Sequence, residues 1–256
     1  MTRGASRRSQ LVVYAVSLTG FLTAWAFLSA HFFQPLFLPS PARVLEAASA
    51  LFADGRLQEH VTVSGLRIAG GFILGCLFGI PIGLAIGASS IVRRAIEPQL
   101  QLLRFIPPIA ILPMALLWLG TGEASKLFLV LYATIFTVVL GSAAAAAQVP
   151  TTTIRAAQSL GVSRWQLFSK VIVPASVAGV LSSMVIALGL AFMTIVSAEM
   201  VAARTGLGFL VQHARLVYHT DWIFVGVATL GVMGFLADRF LRATGNRLAG
   251  RYGARL

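Results

Sequence analysis

Six apolar runs, each about 20 residues or longer, leave this chain few ways to fold. They fall at roughly Leu11–Phe33, Val61–Ala88, Leu100–Leu119, Leu127–Ala147, Val171–Ser197 and Trp222–Leu241. At about 1.5 Å per residue, each reaches across a hydrocarbon core of about 30 Å. Barrel strands would be about ten residues long and alternate in polarity, so the runs read as helices. Only 11% of the 256 residues are charged, where a soluble domain carries about a quarter. The charges gather between the runs. The sequence therefore predicts an all-α integral membrane protein of about six transmembrane helices.

The first run follows Arg3, Arg7 and Arg8, as a secretory leader would. At 23 residues it exceeds a leader's apolar core and is long enough to span, so it reads as a retained helix. The net charge of +12 is spread around the apolar runs and forms no basic surface interleaved with aromatics. The positive-inside rule explains it better than nucleic-acid binding does. With the N-terminus in the cytoplasm, the inner segments hold 13 Arg and Lys residues and the outer ones 5. Both termini are then cytoplasmic. The expected organisation is a cytoplasmic tail over 1–10, a membrane domain over 11–241 and a basic cytoplasmic tail over 242–256. The location implied is a membrane, with both tails on its cytoplasmic side.

Local signals refine this outline. Ser40-Pro41 starts a short helix, with Val44, Leu45, Ala48, Leu51 and Phe52 on one face and Asp54-Gly55 as its stop. It lies in the outer interface or packs against the spans. Gly71, Gly75, Gly79, Gly83 and Gly87 recur every four residues in the second run. Ala175, Gly179, Ser183, Ala187 and Ala191 do so in the fifth. Such ridges let helix backbones approach closely, as static packing or as sliding surfaces. Pro107, Pro108 and Pro113 make the third run bent or broken and a wall of a pathway. The lone Cys76 excludes an intrachain disulfide and reads as a packing residue.

The segment 149–170, placed in the cytoplasm, carries the most information. Thr152 or Thr153 caps a helix ending near Ser159 or Leu160, and Gly161 supplies a left-handed turn. Ser163 and Gln166 form the capping box of a second short helix. Pro174 suits the first turn of the fifth span.

This stretch resembles the cytoplasmic loop of binding-protein-dependent ABC importer permeases. That family's motif runs Glu-Ala-Ala, three residues, Gly, nine residues, then Ile-x-Leu-Pro. The matching positions are Arg155, Ala156, Ala157, Gly161, Val171, Val173 and Pro174. Arg155 replaces the leading Glu, and valines fill both aliphatic positions. The resemblance extends from about Pro35 to the sixth run, through FLPSPARVL, RFIPPIAILPMALLWLGTGEASK and SAEMVAARTGLGFLVQHA. It is nearest the nitrate, taurine and alkanesulfonate branch, and within it the taurine and alkanesulfonate permeases.

The resemblance implies a type I importer fold and a coupling helix docked on an ATPase subunit. It also implies two copies of this chain around a central route, two cytoplasmic ATPase subunits and an extracytoplasmic solute-binding protein. The solute would be a small organic anion. No Gly-x-x-x-x-Gly-Lys-Ser/Thr loop occurs in the chain, so ATP and Mg belong on the partner subunit, and no cofactor is expected here. Beside the family match, Leu160, Trp165 and Phe168 suit a docking pocket, although Trp165 also suits a membrane interface.

Few charged residues remain to be weighed. Glu199 follows the fifth run at its outer end and gates, pairs with an arginine or faces water. Arg104 snorkels to the cytoplasmic interface or lines the route. Pro107, Pro108, Thr194 and Ser197 join Arg104 and Glu199 as candidate path or gate residues. Glu123 and Asp238 are expected to be solvated or paired at span ends. The four histidines lack metal-ligand spacing, and no Ser, His and acid grouping suggests catalysis. An ATP-independent channel or secondary transporter is the rival reading. It would place ionisable groups at mid-span, and none are expected there.

Overall fold

The computed structural model describes residues 7–250 and folds them into helices, with no strand among them. Arg3, Arg251 and Arg255, which enter the charge asymmetry, lie outside the described residues. The helices are α1 (Arg7–His31), α2 (Pro41–Ala53), α3 (Arg56–Gly87), α4 (Ser90–Phe105), α5 (Pro108–Leu119) and α6 (Glu123–Ala147). After them come α7 (Thr151–Ser159), α8 (Arg164–Leu167), α9 (Val173–Ala202), α10 (Leu207–Leu216) and α11 (Thr220–Gly250). A single π-helical turn, Phe168–Ile172, joins α8 to α9.

Five helical stretches are long and apolar enough to cross a membrane, and the α4–α5 pair makes a sixth, bent by 88°. The break follows from Pro107 and Pro108, which cannot donate backbone bonds there. Pro113 does not break α5. The expected single third span is thus two helices, and the first of them begins ten residues before the apolar run.

Helix α6 is the centre of the bundle, with α3 on one side and α9 on the other. The every-fourth glycines of α3 explain the first contact. A Cβ on Gly71 would sit 2.5 Å from Val130, and one on Gly79 3.0 Å from Val138. Gly75, Gly83 and Gly87 leave less room still, against Thr134, Val139 and Ala143. On the other side, Gly179 faces Ala145, where a Cβ would come within 2.6 Å, and Ser183 meets Gly141. With no side chain between them, the backbones touch, which is how helices associate in lipid. Both ridges therefore serve close packing on α6.

Helix α2 buries Val44, Ala47 and Leu51 against Leu207, Leu210 and Val225. It packs on the protein's own helices, while Leu45 and Phe52 point away. Ser40 caps it, accepting from the Arg43 N–H at 3.4 Å. Helix α10 has no counterpart in the sequence reading, because its ten residues are too short to register as a span. Helix α1 stands almost outside the bundle, with Val12, Tyr14, Val16 and Phe21 exposed. Trp25 attaches it, stacking on Phe224 at 5.6 Å and donating to the Pro39 carbonyl. Exposed apolar side chains run along α3, α5, α9 and α11 as well. A water-facing surface would not tolerate so many contiguous ones, so these faces suit lipid or another apolar surface.

Candidate functional site

Three features stand out: the loop after α6, a polar knot at the opposite end, and a cavity between them. In the loop, α7 starts one residue before the expected caps. Its N-cap is Pro150, and neither Thr152 nor Thr153 caps it. Gly161 has φ +75°, a conformation that favours glycine, and it turns the chain into α8. Ser163 and Gln166 form the full capping box there. Helix α8 is not separate from the fifth span. Through the π turn it runs on into α9, giving one 39-residue stretch, Arg164–Ala202. Pro174 is carried inside that stretch, near the start of α9.

No residue of α7 or α8 is buried. Leu160 is 83% exposed and Trp165 72%, an apolar pair presented to the outside. Arg155 and Ala156 are exposed and Ala157 half-buried. Phe168 behaves differently from its neighbours. It leans on Trp165 at 5.9 Å but packs with Ile172 and Val180 in the bundle, so it supports the exposed surface rather than forming it.

The polar knot gathers residues from α3, α6, α9 and the turn after α9. Arg67 is 4% exposed and Glu199 fully buried. The guanidinium donates to Glu199 at 2.8 Å, to Glu123 at 2.5 and 2.6 Å, and to the Thr205 carbonyl at 2.7 Å. Glu199 also accepts from Ser64 and from the Gly208 N–H at 2.9 Å. Ser64 in turn accepts from the Leu207 N–H at 2.8 Å, and His60 Nδ1 accepts from the Gly206 N–H at 3.1 Å. Glu199 thereby shapes the Thr205–Gly208 turn. Gly206 sits at φ +120°, and a Cβ there would overlap the Glu199 carboxylate. Lys126, 3% exposed, holds the α5–α6 turn by donating to the Thr121 and Gly122 carbonyls. Every charge in the knot has an opposite charge or several donors, as buried ions require.

The cavity, of about 210 Å³, lies at the α4–α5 break against α6 and α9. Arg104, Pro108, Thr194 and Ser197 line it with Tyr132 and Phe136. Tyr132 donates to the Leu103 carbonyl at 2.8 Å and so fixes the end of α4. Arg104 does not reach back to the loop end of the bundle, because α4 climbs along α6 and delivers it to the middle of that helix.

The structure therefore brings four of the candidate path residues together and separates the others. Pro107 supplies the break without lining the cavity, and Glu199 belongs to the knot. Arg67, Ser64 and His60 were not singled out in the sequence as site residues; Arg67 lies within the second run but near its end, not at mid-span. A signal existed. Arg67 lies early in the second run and Glu199 two residues past the fifth, so antiparallel spans bring opposite charges to the same end. Glu123 pairs with Arg67, and Asp238 with Arg242 at 2.8 Å.

Known proteins agree with this architecture. A probable ABC transporter permease protein of Brucella melitensis is 39% identical over 93% of this chain and 94% of its own. The taurine transport system permease protein of Escherichia coli K12 is 38% identical over 90% of this chain and 85% of its own. The nitrate import permease protein of Synechocystis is 32% identical over 89% and 85%. Among solved structures, the MetNI methionine ABC transporter in inward-facing conformations superposes with a TM-score of 0.60 at 17% identity. It covers 77% of this chain and 95% of that one, and it shows the shared fold. Residues 78–250, about two thirds of the chain, match the family described as binding-protein-dependent transport system inner membrane component. The chain belongs to that family, as a multi-pass permease subunit of an ABC importer.

Proposed function

We propose that this permease subunit carries a small organic anion, taurine or another alkanesulfonate, into the cytoplasm. Two copies form the route, two ATPase subunits bind ATP and Mg beneath them, and a solute-binding protein delivers from outside. Both termini and the loop after α6 face the cytoplasm, in keeping with the arginine asymmetry. The ATPase grips the exposed surface of Leu160 and Trp165, with Arg155, Ala156 and Ala157 close by and Gly161 setting its angle.

One observation carries this reading. The loop is ordered, exposes apolar side chains and is fused to a helix of 39 residues, about 58 Å long at 1.5 Å per residue. A push on Trp165 is therefore delivered along α9 to Glu199 without a slack joint. The taurine permease at 38% identity supports the solute, and the nitrate permease at 32% supports nitrate as the second reading.

The test is Gly161→Val. The spans keep their hydrophobicity, so the protein inserts in normal amounts, but α8 is misoriented. Retention of the ATPase on co-purification is expected to fall about tenfold, equivalent to about 1.4 kcal/mol. Uptake of labelled taurine into vesicles falls with it. A variant that holds the ATPase and transports as wild type does would refute the role of this loop.

A further inference from the structure

We propose that the cavity at the α4–α5 break is a solute subsite of the permease itself, reading a singly charged anionic headgroup with an apolar tail. The proposal rests on the anion reading above and goes beyond it. Recognition would not be left wholly to a binding protein.

Arg67 and Arg104 differ in their partners. Arg67 is neutralised by Glu123 and Glu199. Arg104 has no acidic partner among the described residues, and its guanidinium rests over the Phe105 ring at 5.2 Å. Its side chain is exposed on the single chain, at the mouth of the cavity. It shares the cavity with Tyr132 and Thr194, which lie nine residues after the start of α6 and eight before the end of α9. Those offsets put the cavity about 12–14 Å below the knot end, near the middle of a core of about 30 Å. A cation without an acidic partner that opens onto a cavity at that depth marks a place where an anion is accommodated.

The hydroxyls point the same way. Thr194 is 9% exposed and lines the cavity, yet its hydroxyl makes no hydrogen bond among the described residues. Thr134, Ser176 and Ser183 are also buried, but their hydroxyls turn back onto carbonyls of their own helices. Thr137 on the cavity wall is likewise unpartnered. Neither hydroxyl is sealed in the core, so both open onto the cavity and are available to a ligand there. Helix α5 begins at this wall with no side-chain cap on its N-terminus, adding the positive end of its dipole.

Chemistry narrows the ligand. One guanidinium and two free hydroxyls suit a sulfonate or carboxylate of charge −1 better than a doubly charged oxyanion. Phe136, Leu190 and Met193 complete an apolar wall, which an alkyl chain covers and nitrate does not. The volume of about 210 Å³ is more than ten times the ~10–15 Å³ that one water needs.

The test uses the complete importer in nanodiscs and vesicles. Binding of ³⁵S-labelled propanesulfonate is measured without the binding protein, and uptake of labelled propanesulfonate, taurine and nitrate with it. Wild type is expected to bind propanesulfonate and to prefer it to nitrate. Arg104→Gln should weaken binding about tenfold or more, and Arg104→Lys should restore part of it. Thr194→Val, nearly isosteric, should weaken binding about threefold while assembling normally. Sulfonate uptake with an unchanged KM in Arg104→Gln and Thr194→Val would overturn the subsite alone. Wild-type importer that moves only an uncharged solute would overturn the anion reading and the subsite together. Preference for nitrate lost in Arg104→Gln would keep the cation and overturn the apolar-tail assignment.

Discussion

The two ends of the α8–α9 stretch are built on opposite principles. At one end Glu199 is fully buried, and its carboxylate is matched by Arg67, Ser64 and the Gly208 N–H. At the other end Trp165 is 72% exposed, and among the described residues its ring leans on Phe168 alone. The first end invests in internal satisfaction, so its geometry is fixed by the chain alone. The second leaves apolar surface open, so its final geometry waits for something else to cover it. One continuous helix joins a fixed point to a free handle. That is the arrangement a lever requires.

The comparison breaks most readily at Arg67. Arg67→Met leaves Glu199 buried without its cation, and losing one partner of a buried ion pair costs about 3–5 kcal/mol. Thermal unfolding in detergent should show a large loss of stability and poor yield. A wild-type melting temperature would mean that water reaches Glu199 and that the knot is not dry.

Gly206→Ala should come next. Its φ of +120° is one that side chains resist, and the new Cβ overlaps the Glu199 carboxylate. The strain alone is worth about 1–3 kcal/mol, read as a lower melting temperature. Gly55→Ala is the control. It also has positive φ, +78°, but nothing lies within 4 Å of its Cβ. Equal losses at both positions would show that backbone strain, and not the knot, is responsible.

Glu123→Gln sharpens the picture within the knot. Its side chain is 59% exposed, against 0% for Glu199. Solvent screens the lost charge and Glu199 still compensates Arg67, so the cost should stay below about 1 kcal/mol. A loss as large as that of Arg67→Met would mean that Glu123, and not Glu199, is the principal counter-ion.

The smallest effect on stability belongs to Trp165→Ala, within about 0.5 kcal/mol for an exposed position. Uptake and ATPase retention should nevertheless fall severalfold, because exposed aromatics often anchor interfaces. A variant that melts lower and transports normally would reverse the contrast between the two ends.

Much of this was legible in sequence because it is local. Hydrophobic length gave the spans, and Ser40, Gly161 and the Ser163–Gln166 pair announced turns and caps within four residues of themselves. The four-residue spacing from Gly71 to Gly87 announced a close helix contact, although not its partner. The loop stood out for the same reason, since its helix signals lie outside any apolar run. Local rules failed where two segments compete. The sixteen residues of α4 and the ten of α10 are too short or too polar to score as spans, so hydropathy missed their starts.

Sequence by itself thus determined that this chain crosses a membrane as six helical units and carries an ordered loop. Hydrophobic length, proline and glycine act through the backbone of a few neighbours, so their effects can be read in place. Only the tertiary structure decided that Arg67 meets Glu199 across 132 positions, that α6 is the helix both ridges press against, and that α4 carries Arg104 to the middle of α6. Those outcomes depend on which faces pack together. A buried charge selects its partner by proximity in space, and that proximity exists only after the helices have been assembled.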